Sequence, residues 1–172
     1  MTDIVVEAVD FARHFHEGQI RKHTNEPYIL HPTRVAFMLA PLTNDQATLA
    51  AAMLHDVLED TAATEELLLE TFGPRVTRYV VDISNLHKGN RKTRKLLYRE
   101  QLGKADIPVK SIKLADMLDN CPSIIKYDPD FAKVYMKEQK DQLPYLEDGF
   151  TSLYLKTRRM IHDYFKEIKN GK

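Results

Sequence analysis

Cysteine is nearly missing from this chain: Cys121 stands alone among 172 residues. One thiol cannot close an intrachain disulfide, so a stapled secreted scaffold is excluded and a reducing, cytoplasmic compartment is expected. No apolar run approaches the roughly 18–20 residues that cross a bilayer, and no charged-then-apolar leader opens the chain. Membrane partnership is therefore not expected. An excess of either charge is lacking too, with 25 Lys and Arg against 25 Asp and Glu. No global field draws the protein to nucleic acid or to lipid. Strand-like alternation, internal repeats and low-complexity tracts are also lacking. The length suits one domain with a substantial core.

The pattern that is present is helical almost throughout, which gives an all-α fold class. Ile4, Ala8, Phe11, Ala12 and Phe15 form one apolar stripe, capped by Thr2 or Asp3 and ended by Gly18. Residues 19–30 have no period and read as a loop. A helix starts around Pro32, a residue suited to a first turn, and Pro41 breaks it. Asn44 or Asp45 caps the next helix. Thr64 caps another, with Glu65 and Glu66 at its positive end, and Phe72-Gly73-Pro74 stops it. Val76, Val80 and Ile83 mark the face of a further helix. A polar helix near 92–103, a helix from Pro108 through Asn120, and amphipathic segments near 128–143 and 150–168 complete the chain. The whole is expected to be a single domain over residues 1–172, with 128–172 packing as C-terminal helices on the core.

Chemistry concentrates in His55-Asp56-Val57-Leu58-Glu59-Asp60, which follows the buried-looking run Leu49-Ala50-Ala51-Ala52-Met53-Leu54. On two turns of one helix, His55 would stand below Glu59 and Asp56 below Asp60. Burying unpaired carboxylates costs several kcal/mol or forces protonation. A divalent cation removes that cost. Two further polar elements accompany this segment: His31 within Tyr28-Ile29-Leu30-His31-Pro32, and Asp116 within Ser111-Ile112-Lys113-Leu114-Ala115-Asp116. The basic run His87-Lys88-Gly89-Asn90-Arg91-Lys92-Thr93-Arg94-Lys95 is either a solvated helix start or a lid for a polyanionic small molecule.

The order His, His-Asp, Asp on successive helices resembles the HD-domain phosphohydrolases, and specifically the hydrolase domain of RelA/SpoT homologues and small alarmone hydrolases. The resemblance is carried by Gly18-Gln19-Ile20-Arg21-Lys22, Glu26-Pro27-Tyr28-Ile29-Leu30-His31-Pro32, Leu54-His55-Asp56-Val57-Leu58-Glu59-Asp60-Thr61, Phe72-Gly73 and Lys113-Leu114-Ala115-Asp116. It implies that His31, His55, Asp56 and Asp116 hold one divalent cation, typically manganese. Affinity order alone would favour zinc. Glu59 and Asp60 are the implied acid/base pair, without deciding which is the base. Arg21 and Lys22 match the family's Arg-Lys pair, Lys88 sits near its phosphate-holding lysine, and Asn120 matches its nucleotide-contacting asparagine.

Departures fall beside the expected nucleotide pocket. Cys121-Pro122 stands near where long homologues place an arginine, and Ser84-Asn85-Leu86-His87 replaces an acidic approach. The 22–26 loop is one residue longer, and 172 residues leave no room for the synthetase domain of long homologues. The implied activity is hydrolysis of the 3′-pyrophosphate of guanosine 3′,5′-bispyrophosphate (ppGpp) or its triphosphate form (pppGpp), with the adenosine analogues open. The alternatives are another phosphohydrolase, such as an NADPH 2′-phosphatase or a 5′-nucleotidase, and a non-catalytic nucleotide-binding module. The expected partner is a small-molecule nucleotide, and no oligomeric state is implied.

Overall fold

The computed structural model describes residues 3–170. Among them are nine α-helices, one short 3-10 helix and no strand. Helix α1 (Ile4–Phe15) is capped by Asp3, whose carboxylate accepts from the Val5 amide at 2.9 Å. Thr2, the other expected cap, lies outside the described residues. Ala8 and Ala12 are fully buried on α1, as are Ala50, Ala51 and Ala52 on α3 (Gln46–Leu54). These small side chains let the two helices approach closely. Phe11 and Phe15 lie partly buried beside them.

Between α1 and α2 (Leu30–Leu39), the aperiodic stretch is an ordered loop pinned by an isolated antiparallel bridge, Ile20 to Pro27. Helix α2 starts two residues ahead of the expected Pro32 and ends just before Ala40-Pro41, since proline disfavours helical backbone at the preceding residue. Asp45 precedes α3, but its carboxylate takes Thr48 Oγ1 at 2.6 Å instead of an orphan amide.

Helix α4 is a single turn, Val57–Asp60. Helix α5 (Glu65–Ile83) is capped by Thr64 and interrupted at the expected stop, Gly73, where φ is 73° and the backbone leaves helical geometry. Glycine reaches that left-handed geometry without a Cβ clash, and Pro74 then supplies a first-turn residue for the second segment. Helix α6 (Arg91–Lys104) begins at Asn90, whose side chain accepts from the Thr93 amide.

Helix α7 (Ile107–Tyr127) is the axis of the molecule, in contact with α2, α3, α5, α6, α8 and α9. It runs about two turns past the expected end at Asn120, through Pro122, because Cys121 and Ile124 remain buried against the core. Helix α8 (Pro129–Gln142), a 3-10 helix (Leu143–Leu146) and α9 (Thr151–Lys169) close over it. At Gly149 the chain comes so close that a Cβ would lie 2.6 Å from Leu114 Cδ1. Among the described residues, no helix is long and apolar enough to cross a membrane.

Candidate metal centre

Three stretches deliver the candidate ligands: the first turn of α2 (His31), the joint between α3 and α4 (His55, Asp56) and the middle of α7 (Asp116). The joint differs from the expected continuous helix. Helix α3 ends at Leu54, and His55 Nδ1 donates to the Ala52 carbonyl at 2.8 Å, a local bond of the kind that competes with the helical ladder. The helical ladder is interrupted at this joint, the Asp60 amide still donates to the Asp56 carbonyl at 3.0 Å, and the acidic residues of α4 reach separate partners.

The donor atoms converge. His31 Nε2 lies 3.2 Å from His55 Nε2, 3.2 Å from Asp116 Oδ1 and 3.4 Å from Asp56 Oδ2. His55 Nε2 lies 3.3 Å from Asp56 Oδ2 and 3.8 Å from Asp116 Oδ1. Nitrogen and oxygen ligands at about 2.0–2.2 Å from an ion stand roughly 2.8–3.6 Å from each other. The cluster is close to that spacing, and His31, His55 and Asp116 are all buried.

Its charge also fits a cation. Burial opposes ionisation of the carboxylates, yet Asp56 stays well below the usual range because His55 and His31 adjoin it. Asp116 does so because Lys113 and both histidines adjoin it. Burial likewise opposes protonated imidazole, but the surrounding carboxylates override it and push His31 up to about 11 and His55 up to about 9. The pocket thus retains protons where positive charge is wanted. Both Nδ1 atoms are engaged, His31 with Asp119 at 2.7 Å and His55 with the carbonyl, so a proton on each Nδ1 leaves the Nε2 lone pairs facing inward.

Glu59 and Asp60 flank the cluster under opposite electrostatics. Burial raises both pKa values, and the Asp56 charge adds to the rise in each. Glu59 is held by the Asn85 amide at 2.8 Å. Asp60 is held by the Tyr28 hydroxyl at 2.9 Å, and that hydroxyl also reaches Asp56 Oδ2 at 2.7 Å. Carboxylates pushed down and carboxylates pushed up within one site are the arrangement that separates ligands from proton carriers.

The expected substrate residues divide. Arg21 donates to Asp119 at 2.8 Å and to Asn120 Oδ1 at 2.6 Å, and Asn120 Nδ2 donates to Asp116, so both border the cluster. Lys22 points to Asp128 at 3.4 Å with its side chain 79% exposed. Lys88 is exposed on the 84–90 loop and, among the described residues, makes no ion pair. The basic run is largely a solvated helix start, since Arg91, Lys92 and Arg94 are exposed. Lys95 is its exception. Burial and the nearby Lys113 pull its pKa down, and it shares an electrostatic environment with Glu59. Sequence reasoning placed Lys95 only within the basic run and passed over Asp119. Asp119 stands three residues after Asp116, one helical turn along the same face.

A model of the HD domain family matches residues 8–141. The chain belongs to that family. Several relatives bear the name guanosine-3′,5′-bis(diphosphate) 3′-pyrophosphohydrolase. The one from Haemophilus influenzae is 42% identical over 133 residues, covering 74% of this chain and 20% of the relative. The one from Aquifex aeolicus is 40% identical over 141 residues, with coverages of 78% and 20%. The bifunctional (p)ppGpp synthase/hydrolase SpoT of Escherichia coli K12 is 34% identical over 181 residues, with coverages of 94% and 26%. The chain thus spans about a fifth to a quarter of these relatives. A solved structure described as a metazoan ortholog of SpoT that hydrolyzes ppGpp is similar at a TM-score of 0.88 and 28% identity, covering 95% of this chain and 97% of that one. The HD domain match ends at residue 141, before α9, whereas the structural likeness extends across nearly the whole chain.

Proposed function

We propose that this HD domain protein is a cation-dependent phosphohydrolase that removes the 3′-pyrophosphate from guanosine 3′,5′-bispyrophosphate or its triphosphate form. The observation that carries the reading is the cluster of two imidazoles and two carboxylates beside two carboxylates of raised pKa. The metazoan neighbour, similar along almost its full length, supports the substrate class.

His31, His55, Asp56 and Asp116 would hold the ion, with manganese the choice by family resemblance. When bound, such an ion supplies Lewis acidity toward a phosphoryl oxygen and makes water a stronger acid. The chain's own residues do the rest. Glu59 or Asp60 accepts the proton of the attacking water as its oxygen bonds to the phosphorus attached to the 3′-oxygen. The phosphorus–oxygen bond to the ribose breaks, and the same carboxyl group returns the proton to the departing 3′-oxygen. GDP or GTP and pyrophosphate result. Lys113 and Lys95, on the Glu59 side, offset phosphate charge. Arg21 and Asn120, on the Asp119 side, face the nucleoside, the guanidinium plane being suited to stack on a purine.

Residues 3–170 act here as one HD unit, with α8 and α9 completing the wall over α7. A cytoplasmic setting accords with the lone, buried Cys121. Incubation with manganese and guanosine or adenosine 3′-pyrophosphates, followed by chromatography, tests the assignment. Inorganic pyrophosphate and a nucleoside 5′-di- or triphosphate are expected. Orthophosphate from NADPH or from a 5′-nucleotide, with the 3′-pyrophosphates left intact, would replace this reading with the other phosphohydrolases.

A further inference from the structure

Asp119 has no place in the reaction just described, yet it is the most heavily bonded carboxylate around the cluster. Its Oδ2 accepts from His31 Nδ1 at 2.7 Å and from Arg21 Nη1 at 2.8 Å, and its Oδ1 accepts from Arg34 Nε at 2.6 Å. The side chain is 8% exposed. Arg21 continues through its other nitrogen to Asn120 Oδ1 at 2.6 Å, and Asn120 Nδ2 donates to Asp116 Oδ1. The bonds therefore run from one candidate ligand, His31, through Asp119, Arg21 and Asn120, to another, Asp116. An ion held between His31 and Asp116 would close the ring.

We propose that Asp119 is a positioning residue that couples cation binding to the orientation of Arg21, so that ion and nucleotide each favour the other's binding. The inference rests on the cation site proposed above. The other imidazole has no such link: His55 donates to the backbone carbonyl of Ala52, which carries no charge and leads to no substrate group. An anionic partner makes His31 the stronger ligand and fixes its ring. Because the same oxygen holds Arg21 by one edge while Asn120 holds the other, displacement of His31 shifts the guanidinium with it. Arg34 sets a second guanidinium against the buried carboxylate. Coupling of this kind is reciprocal: any change in ion affinity on nucleotide binding is matched by an equal change in nucleotide affinity on ion binding.

The test titrates Mn2+ alone into the whole protein by calorimetry, for the wild type and for Asp119→Ala, Asp119→Asn and Arg21→Met. Asp119→Ala is expected to weaken Mn2+ binding by about 10–100-fold, the range for orienting partners of metal ligands. Asp119→Asn keeps an oxygen acceptor for Nδ1–H, so it regains most of that affinity. It still loses the ionic hold on Arg21 and keeps a raised nucleotide KM at saturating Mn2+. Arg21→Met removes no ligand and is expected to weaken Mn2+ binding by about fivefold or more, the low end of ordinary coupling. Unchanged Mn2+ affinity in Arg21→Met, or in an Asp119→Ala variant that keeps the wild-type circular dichroism, overturns the coupling. The Mn2+ titrations decide this without substrate. A wild type that binds Mn2+ and couples as described, yet leaves 3′-pyrophosphates intact, overturns the assigned reaction and not the inference. A wild type that binds no Mn2+ overturns the cation site and the coupling together.

Discussion

The Tyr28 hydroxyl sits 2.9 Å from Asp60 Oδ2, on a ring stacked against His16 at 4.7 Å between centroids. The same oxygen lies 2.7 Å from Asp56. Burial and the two neighbouring carboxylates push the phenol pKa far up, so it remains a donor. It has one proton for two acceptors, and burial together with the Asp56 charge raises the pKa of Asp60. Tyr28 thus ties a candidate ligand to a candidate proton carrier.

Tyr28→Phe removes that tie while keeping the ring and its stack. Hydrogen bonds to charged groups contribute about 1.5–3 kcal/mol, so kcat should fall by about 10–100-fold. Mn2+ affinity should change far less, because Asp56 keeps both histidines beside it. Steady-state kinetics beside a metal titration checks this, and an unaltered kcat would remove Tyr28 from the proton path.

Asp56→Ala should lose the ion and turnover together, since the site then keeps one of two ligand carboxylates. Metal analysis after gel filtration measures it. Stoichiometric Mn2+ retained by this variant would contradict the ligand set. The double variant Glu59→Gln, Asp60→Asn should behave oppositely, keeping the ion while kcat drops by about 10²–10⁴-fold. Neither side chain is among the atoms that converge on His31 Nε2.

Ion binding should strengthen as pH rises. His31, near 11, and His55, near 9, both lie above the ordinary imidazole value of about 6.5. Neutral imidazoles are needed as ligands, so at pH 7 uptake of Mn2+ should release protons into a weakly buffered solution. The sign for the metal-free fold is the reverse. Raised folded values mean that protonation stabilises it: the contribution is complete below about 6.5, then lost as pH climbs through 9 and 11. Mn2+ uptake with no proton release would show that the histidines are neutral beforehand.

Gly149→Ala tests the packing of the C-terminal helices on α7. Its added Cβ would meet Leu114 Cδ1 at 2.6 Å and the Leu146 carbonyl oxygen at 3.1 Å, and Leu114 is fully buried. Overpacking of this kind costs about 1–3 kcal/mol, which for a domain of this size lowers Tm by several degrees, roughly 2–4 °C per kcal/mol. A Tm equal to the wild type would mean that the loop before α9 packs less tightly on Leu114.

Much of this was legible in the residue pattern. Period and capping residues locate the helices because Asp3 and Thr64 bond local amides, and the four candidate ligands are visible as polar residues inside apolar stretches. The joint at His55 was not legible. The whole segment has helical propensity, and a side chain taking the Ala52 carbonyl decides where α3 ends. The extension of α7 past Pro122 depends on burial against other helices, which a local pattern does not record. Lys95 and Asp119 were hidden for another reason. Charged residues on helices read as solvated faces until the fold shows what covers them, and here Lys113 and Glu59 adjoin the one while His31 and Arg21 meet the other.

The most direct test of the account is pyrophosphate release from guanosine 3′,5′-bispyrophosphate by chelated protein, before and after Mn2+ is restored, with Asp56→Ala assayed alongside. The wild type should release pyrophosphate only once Mn2+ is present, and the variant should release none under either condition. Release that survives chelation, or persists in Asp56→Ala, would contradict it.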